Sequence, residues 1–145
     1  MAETVPQNFK NHRRFDPWYH FFAATVLVVA FFVALWRAIK APSAWAIWEI
    51  VVAAALVVVA WKARAFALKA QDRVIRLEER QRLGALLSEP LRSRIGALTE
   101  DQLIGLRFAS DAEVAGLVQA ALDESLSGEA IKKRIKDWRA DFFRV

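Results

Sequence analysis

Two long apolar runs constrain this chain more than any other feature of its sequence. Residues 19–36 contain no Asp, Glu, Lys or Arg, and residues 44–61 contain a single such residue, Glu49. At about 1.5 Å per residue, each 18-residue run spans roughly 27 Å as a helix, which matches the thickness of a bilayer core. Both runs are apolar around the whole helix, which is typical of helices that face lipid. We therefore predict two transmembrane helices joined by a short turn.

The positions of the tryptophans support this prediction independently. Five of the six tryptophans fall at the ends of the two runs, where aromatic rings favour the headgroup region of a membrane. These are Trp18, Trp36, Trp45, Trp48 and Trp61. The last, Trp138, lies far from either run.

Basic residues predict the orientation of the hairpin. Two lie in the turn between the runs, Arg37 and Lys40, whereas nine flank the hairpin on its other side. These nine are Lys10, Arg13, Arg14, Lys62, Arg64, Lys69, Arg73, Arg76 and Arg80. Lys and Arg favour the cytosolic side, so we expect both termini in the cytosol.

The sequence lacks the usual signs of catalysis, cofactor binding and nucleic-acid binding. It has no cysteine, and its glycines are isolated rather than grouped into a phosphate-binding loop. The formal net charge of +5 is modest, and no nucleic-acid-binding motif accompanies the basic residues. We expect no enzyme activity, no cofactor and no nucleic-acid partner.

The second apolar run is predicted to continue into the cytosol as a helical stalk over residues 62–87. Residues 67, 70, 74, 77 and 81 alternate spacings of three and four, which is a short heptad pattern containing Ala70, Val74 and Leu77. Charged residues surround this pattern and are expected to form ion pairs along or between helices. Two interpretations stay open: the pattern packs against another chain, or against this protein's own downstream helices.

Four short helices are predicted after the stalk, each from a capping residue at its start. Ser88, Thr99, Ser110 and Ser127 are these residues, and Thr99 and Ser110 have Gln or Glu three positions later, as in a capping box. The last helix is predicted to carry an apolar stripe opposite several basic residues. The stripe consists of Ile131, Ile135, Trp138 and Phe142. It either binds a partner or lipid, or caps the small helical domain.

Two candidate sites for ions lie near the apolar runs. His12, Asp16 and His20 are spaced four apart, as metal ligands on one helix would be, but Pro17 favours Asp16 as the cap of the first membrane helix. Glu49 is charged within a run, which is typical of a transport pathway. However, it lies only about 7 Å from the start of its run, so it can extend toward the membrane surface or pair with Arg37 or Lys40, and a structural role is favoured.

Four segments of the chain resemble a known family. They are Asn8–Phe15 before the first run, Phe66–Arg80 in the stalk, Asp101–Asp111, and Ile131–Asp141. Together they are similar to a family of small bacterial two-span membrane proteins known only as a domain of unknown function. The resemblance implies a bacterial membrane location and supplies no activity, substrate or catalytic residue.

The sequence thus predicts an all-α membrane protein. Its expected parts are a juxtamembrane segment 1–18, a transmembrane hairpin 19–61, a helical stalk 62–87 and a helical domain 88–145. We expect a membrane-anchored adaptor or accessory subunit of the bacterial inner membrane, which acts by homo- or hetero-association of its cytosolic helices. The alternative is a small oligomeric channel or transport component with Glu49 near the pore mouth. A third possibility is an enzyme with a metal at His12, Asp16 and His20.

Overall fold

The computed structural model describes residues 6–12 and 16–141, and within them every regular element is a helix. The all-helical prediction is confirmed for these residues. A π-helical stretch, Trp18–Ala23, leads directly into α1, and a 3-10 helix, Arg92–Ala97, follows α2. The α-helices are α1 (Ala24–Lys40), α2 (Ala44–Leu86), α3 (Glu100–Leu106), α4 (Val114–Asp123) and α5 (Gly128–Arg134).

The chain divides into two compact units, and α2 contributes to both. Residues 16–68 form the hairpin unit. Residues 69–141 form the helical unit, together with the segment 6–12 from the start of the chain. The predicted continuation of the second run as one helix is confirmed, because α2 runs without interruption to Leu86.

The hairpin unit contains two helices that are long and apolar enough to cross a membrane, Trp18–Lys40 and Ala44–Leu86. In each helix, only 6% of the apolar 18-residue stretch is buried within the chain. Near one end of the pair, the Tyr19 hydroxyl donates to the carbonyl oxygen of Ala60 at 2.8 Å. At the turn, the hydroxyl of Ser43 accepts from the amide of Ala46 at 3.1 Å and caps the start of α2.

The helical unit has an apolar core built from the end of α2 and from the three short α-helices. Its fully buried side chains include Leu83, Leu103, Phe108, Val118 and Ile131. Burying large apolar side chains is the main stabilising contribution available to so small a unit.

Two glycines allow α3 and α5 to approach closely. A Cβ atom on Gly105 would lie 2.8 Å from the carbonyl oxygen of Gly128, and one on Gly128 would overlap the backbone of Asp101. The Asp101 carboxylate also accepts the backbone N–H of Gly128 at 2.6 Å. Any side chain at Gly128 would therefore force the two helices apart.

Of three predicted caps, those at Thr99 and Ser127 are confirmed and that at Ser110 is wrong. Thr99 and Gln102 form the predicted capping box at the start of α3, and Ser127 caps α5 through the amide of Ala130. The capping box predicted at Ser110 is wrong, because α4 begins at Val114 and the Ser110 hydroxyl is buried without a hydrogen-bond partner among the described residues. Its intended partner, Glu113, instead accepts backbone N–H groups of residues 136 and 137, each at 3.2 Å.

The predicted last helix is too long. Helix α5 ends at Arg134, and the residues after it are extended alongside residues 108–110. The amide of Ser110 donates to the carbonyl of Asp137 at 3.1 Å, and the amide of Arg139 donates to that of Phe108 at 2.8 Å. These bonds and the two to Glu113 satisfy the backbone of this segment in place of a helix.

Candidate interaction surface

The part of α2 that lies in the helical unit has one buried face, called here the core face. It consists of Ile75, Glu79, Leu83 and Leu87, where Leu87 directly follows the helix. Their spacing of four places them in one row along the helix. Leu83 and Leu87 belong to the apolar core, so this row holds α2 against the short helices.

The opposite side of α2 is exposed. We call Ala70, Val74 and Leu77 the association face; Val74 is 52% exposed and Leu77 is 64% exposed. Because a helix turns about 100° per residue, Leu77 lies about 200° around the helix from Ile75. The interpretation that these three residues pack on the chain's own downstream helices is therefore wrong. Leu83 and Leu87 of the core face pack against the downstream helices instead.

The other predicted interaction residues lie mostly within the helical unit. Ile131 is buried in α5, Ile135 is buried just beyond it, and Trp138 is half-buried in the extended segment. Phe142 lies outside the described residues. Because the helix ends at Arg134, these residues do not form one stripe along a helix, and the interpretation as a basic amphipathic surface helix is wrong.

A buried ion-pair network joins the core face to the segment after α5. The carboxylate of Glu79 pairs with the guanidinium groups of Arg82 at 3.0 Å and Arg139 at 3.3 Å. Arg82 also donates to the carbonyl oxygen of Ala109 at 2.7 Å and to the carboxylate of Asp111 at 2.9 Å. A buried charge needs partners of this kind, so the network fixes the position of the segment.

Burial raises the pKa of the Glu79 carboxyl above its ordinary value, although Arg82 and Arg139 oppose the shift. Glu79 is one of the charged residues around the heptad pattern that were expected to form ion pairs along or between helices, and it does so with Arg82 and Arg139; its burial was not expected. Its place in the row of Ile75, Leu83 and Leu87 puts it on the buried side of α2.

His12 lies in an aromatic cluster of the helical unit. Its ring is 5.6–5.7 Å from the rings of Phe9, Phe108 and Trp138, and Nδ1 is 2.7 Å from the carbonyl oxygen of Phe9. Nearby, the side chain of Gln7 exchanges two hydrogen bonds with the backbone of residue 141. Residues 6–12 are therefore an integral part of this unit, a role that sequence analysis missed.

Asp16 and His20, the other two candidate metal ligands, are engaged at the start of the first long helix. The Asp16 carboxylate accepts the amide of Tyr19 at 3.1 Å, which confirms the predicted cap. The His20 ring nitrogen lies 2.8 Å from the Asp16 carbonyl oxygen. Among residues 6–12 and 16–141, no three His, Asp or Glu side chains gather as metal ligands would.

Glu49 pairs with Arg37 across the turn of the hairpin, at 3.2 Å, as predicted. The pair borders an open cavity of about 330 Å³ near the turn. The five tryptophans at the ends of the apolar runs are all more than half exposed. A carboxylate that is neutralised within its own chain is a poor lining for a cation pore, so this geometry favours a structural role for Glu49.

Comparison with known proteins identifies the family but no characterised relative. No curated protein and no solved structure matches the chain. A model of DUF6526, a family of unknown function, matches residues 1–145. The chain therefore belongs to this family.

Proposed function

We propose that this protein is a membrane-anchored association subunit. The hairpin unit anchors it in a bilayer, and the association face binds another helix. The observation that carries the proposal is the exposure of Val74 and Leu77 on a helix whose other side is already packed into a core. Two large apolar side chains at helical spacing, without cover within the described residues, are typical of a helix that binds a partner.

The surface of the hairpin unit supports the anchoring role. Its large apolar side chains are exposed along both helices, for example Phe32 at 60%. Exposed tryptophans lie at the helix ends, and Arg37 and Lys40 lie at the turn. A bilayer would cover the apolar surface and accommodate the aromatic and basic ends in its headgroup regions.

The composition of the helical unit supports placing both ends of the hairpin on one side of the membrane. Residues 6–12 precede the first candidate span and residues 69–141 follow the second, yet they belong to one unit. Together with the excess of basic residues on this side, this favours the cytosol of a bacterial cell as its location.

The test is the mass of the purified full chain in nanodiscs, measured by native mass spectrometry. We expect more than one polypeptide per disc for the wild type. The double variant Val74→Gln, Leu77→Gln should give one polypeptide per disc, because its polar amide groups remove the apolar contact. Leu86→Gln, at an exposed residue outside the association face, is the control and should resemble the wild type.

A wild-type chain that is alone in its disc, with no other polypeptide after crosslinking in cells, would contradict the proposal.

A further inference from the structure

The association face has the residue types of a two-stranded parallel coiled coil. In the heptad register defined by its spacing, Val74 takes position a, and Ala70 and Leu77 take position d. A β-branched residue at a with Leu at d favours two parallel strands over three or four. The residue types therefore favour a dimer.

The charged residues beside this face favour the parallel direction. Arg73 takes position g and Glu78 takes position e, and both are exposed. Within the described residues, 6–12 and 16–141, neither side chain forms an ion pair. In a parallel pair, position g of one heptad lies beside position e of the next heptad on the partner helix. That spacing of five is the separation of Arg73 and Glu78, so a parallel dimer forms two opposite-charge pairs.

An antiparallel pair would form neither of these charge pairs. It brings g beside g and e beside e, so Arg73 of one copy and Glu78 of the other lie on different sides of the contact. The attraction between the two residue types is therefore available only to the parallel arrangement. The two flanking residues thus select both the direction and the register.

We infer that the partner of the association face is a second copy of this chain, in a parallel, in-register, two-stranded contact through Ala70, Val74 and Leu77. This inference rests on the proposed function and specifies its partner. Two copies inserted in one membrane with the same orientation present their α2 helices in the same direction. Anchoring also raises their effective concentration, which allows a short contact to hold.

The contact leaves the helical unit of each copy intact. The core face, which holds that unit together, lies on the other side of α2 from the association face. Dimer formation therefore requires no rearrangement of Leu83 or Leu87.

Single cysteines test the direction and register of the contact. The chain has no cysteine, so Ala70→Cys and Leu77→Cys each introduce a unique thiol. In a parallel, in-register dimer both variants should crosslink to themselves with a short thiol-to-thiol reagent in native membranes. An antiparallel pair can bring only one level of the helix against itself, so at most one variant would crosslink. Lys69→Cys, exposed on another side of α2, is the control and should stay uncrosslinked.

Charge reversal tests the flanking pairs. Arg73→Glu and Glu78→Arg should each lower the association constant of the dimer in nanodiscs by roughly three- to tenfold. Each change turns the attraction in both flanking pairs into repulsion. The double variant Arg73→Glu, Glu78→Arg should restore the dimer. That restoration distinguishes direct pairing from a general loss of folding.

The outcomes separate this inference from the proposed function. Crosslinking at both Ala70→Cys and Leu77→Cys with charge restoration supports both. An associated protein that crosslinks at neither position or at only one, or that contains a different polypeptide, overturns the parallel dimer and leaves the association subunit in place. A chain alone in its disc overturns both.

Discussion

The two units of this protein differ in the exposure of their large apolar side chains. In the helical unit Leu83 and Phe108 are fully buried, whereas in the hairpin unit Phe32 and Trp36 are about 60% exposed. Apolar burial stabilises a fold in water, and the helical unit follows that rule. The hairpin unit has the reverse pattern, which would suit a chain in lipid, where the surrounding solvent is itself apolar and the backbone must satisfy its own hydrogen bonds. The two units therefore differ in the surroundings that would cover their apolar surfaces.

The largest expected effect comes from emptying the core of the helical unit. Phe108→Ala should destabilise this unit by about 3–5 kcal/mol, because it removes a fully buried aromatic ring and leaves a cavity. It also removes a ring that contacts His12 and Trp138. Hydrogen exchange of α3 amides in the full chain measures the change. Phe66→Ala, the same change at an exposed residue of the hairpin unit, should leave that exchange unaltered.

A lysine on the hairpin surface tests the other side of the comparison. Val29 is exposed near the middle of the first candidate span. In water Val29→Lys would have little effect, but at the centre of a bilayer it should cost about 2.5–3.5 kcal/mol of insertion free energy. The measurement is the fraction of chain that resists alkaline extraction from membranes, with Leu86→Lys as the control. Full retention of the Val29→Lys chain would show that lipid does not cover this surface.

A pair of glycine substitutions separates tight packing from helix propensity within the helical unit. Gly128→Ala should destabilise the unit by about 1–3 kcal/mol, because the added Cβ overlaps the backbone of Asp101. Gly116→Ala, where nothing lies within 4 Å of the added Cβ in α4, should stabilise it by about 0.5–1 kcal/mol. Thermal unfolding of the two variants checks both signs. Equal effects would contradict the close approach of α3 and α5.

The smallest expected effect is a dependence on pH from Glu79. Burial raises the pKa of its carboxyl above the ordinary value of 4.5, against the opposing charges of Arg82, Arg139 and Arg107. The folded chain then binds more protons than the unfolded chain above that value. The stability that this group contributes is therefore lost as the pH rises through its folded pKa.

The slope cannot exceed about 1.4 kcal/mol per pH unit, the limit for one proton. Hydrogen exchange of the helical unit at about pH 5 and about pH 7, corrected for intrinsic rates, should show wild-type stability falling relative to Glu79→Gln. If wild-type stability instead rises relative to Glu79→Gln as the pH increases, the ion pairs of Glu79 outweigh the effect of its burial.

The features that were predictable from sequence are those with local causes. Long apolar runs, the uninterrupted helix-forming residues up to Leu86, and the capping residues Thr99 and Ser127 each act within one helix, and the structure has them where expected. The pairing of Glu49 with Arg37 was also predictable, because a short turn brings their helices together.

The errors arise where distant residues compete with a local pattern. Residues 135–138 continue the helical spacing of α5, but hydrogen bonds with residues 108–113 take their backbone groups instead. On α2, two apolar rows lie on opposite sides, and only the positions of the short helices decide which one is buried. The sequence contains both rows, but no local signal ranks Ile75 above Leu77.

The hydrogen bonds between Gln7 and residue 141 join positions that are 134 residues apart in the chain. At a synthesis rate of roughly 5–20 residues per second, the earlier residue waits about 7–27 s for its partner to leave the ribosome. Both candidate spans are synthesised during that interval. Completion of the helical unit is therefore ordered in time after the synthesis of both candidate spans, because its first and last segments meet only once the whole hairpin has been made.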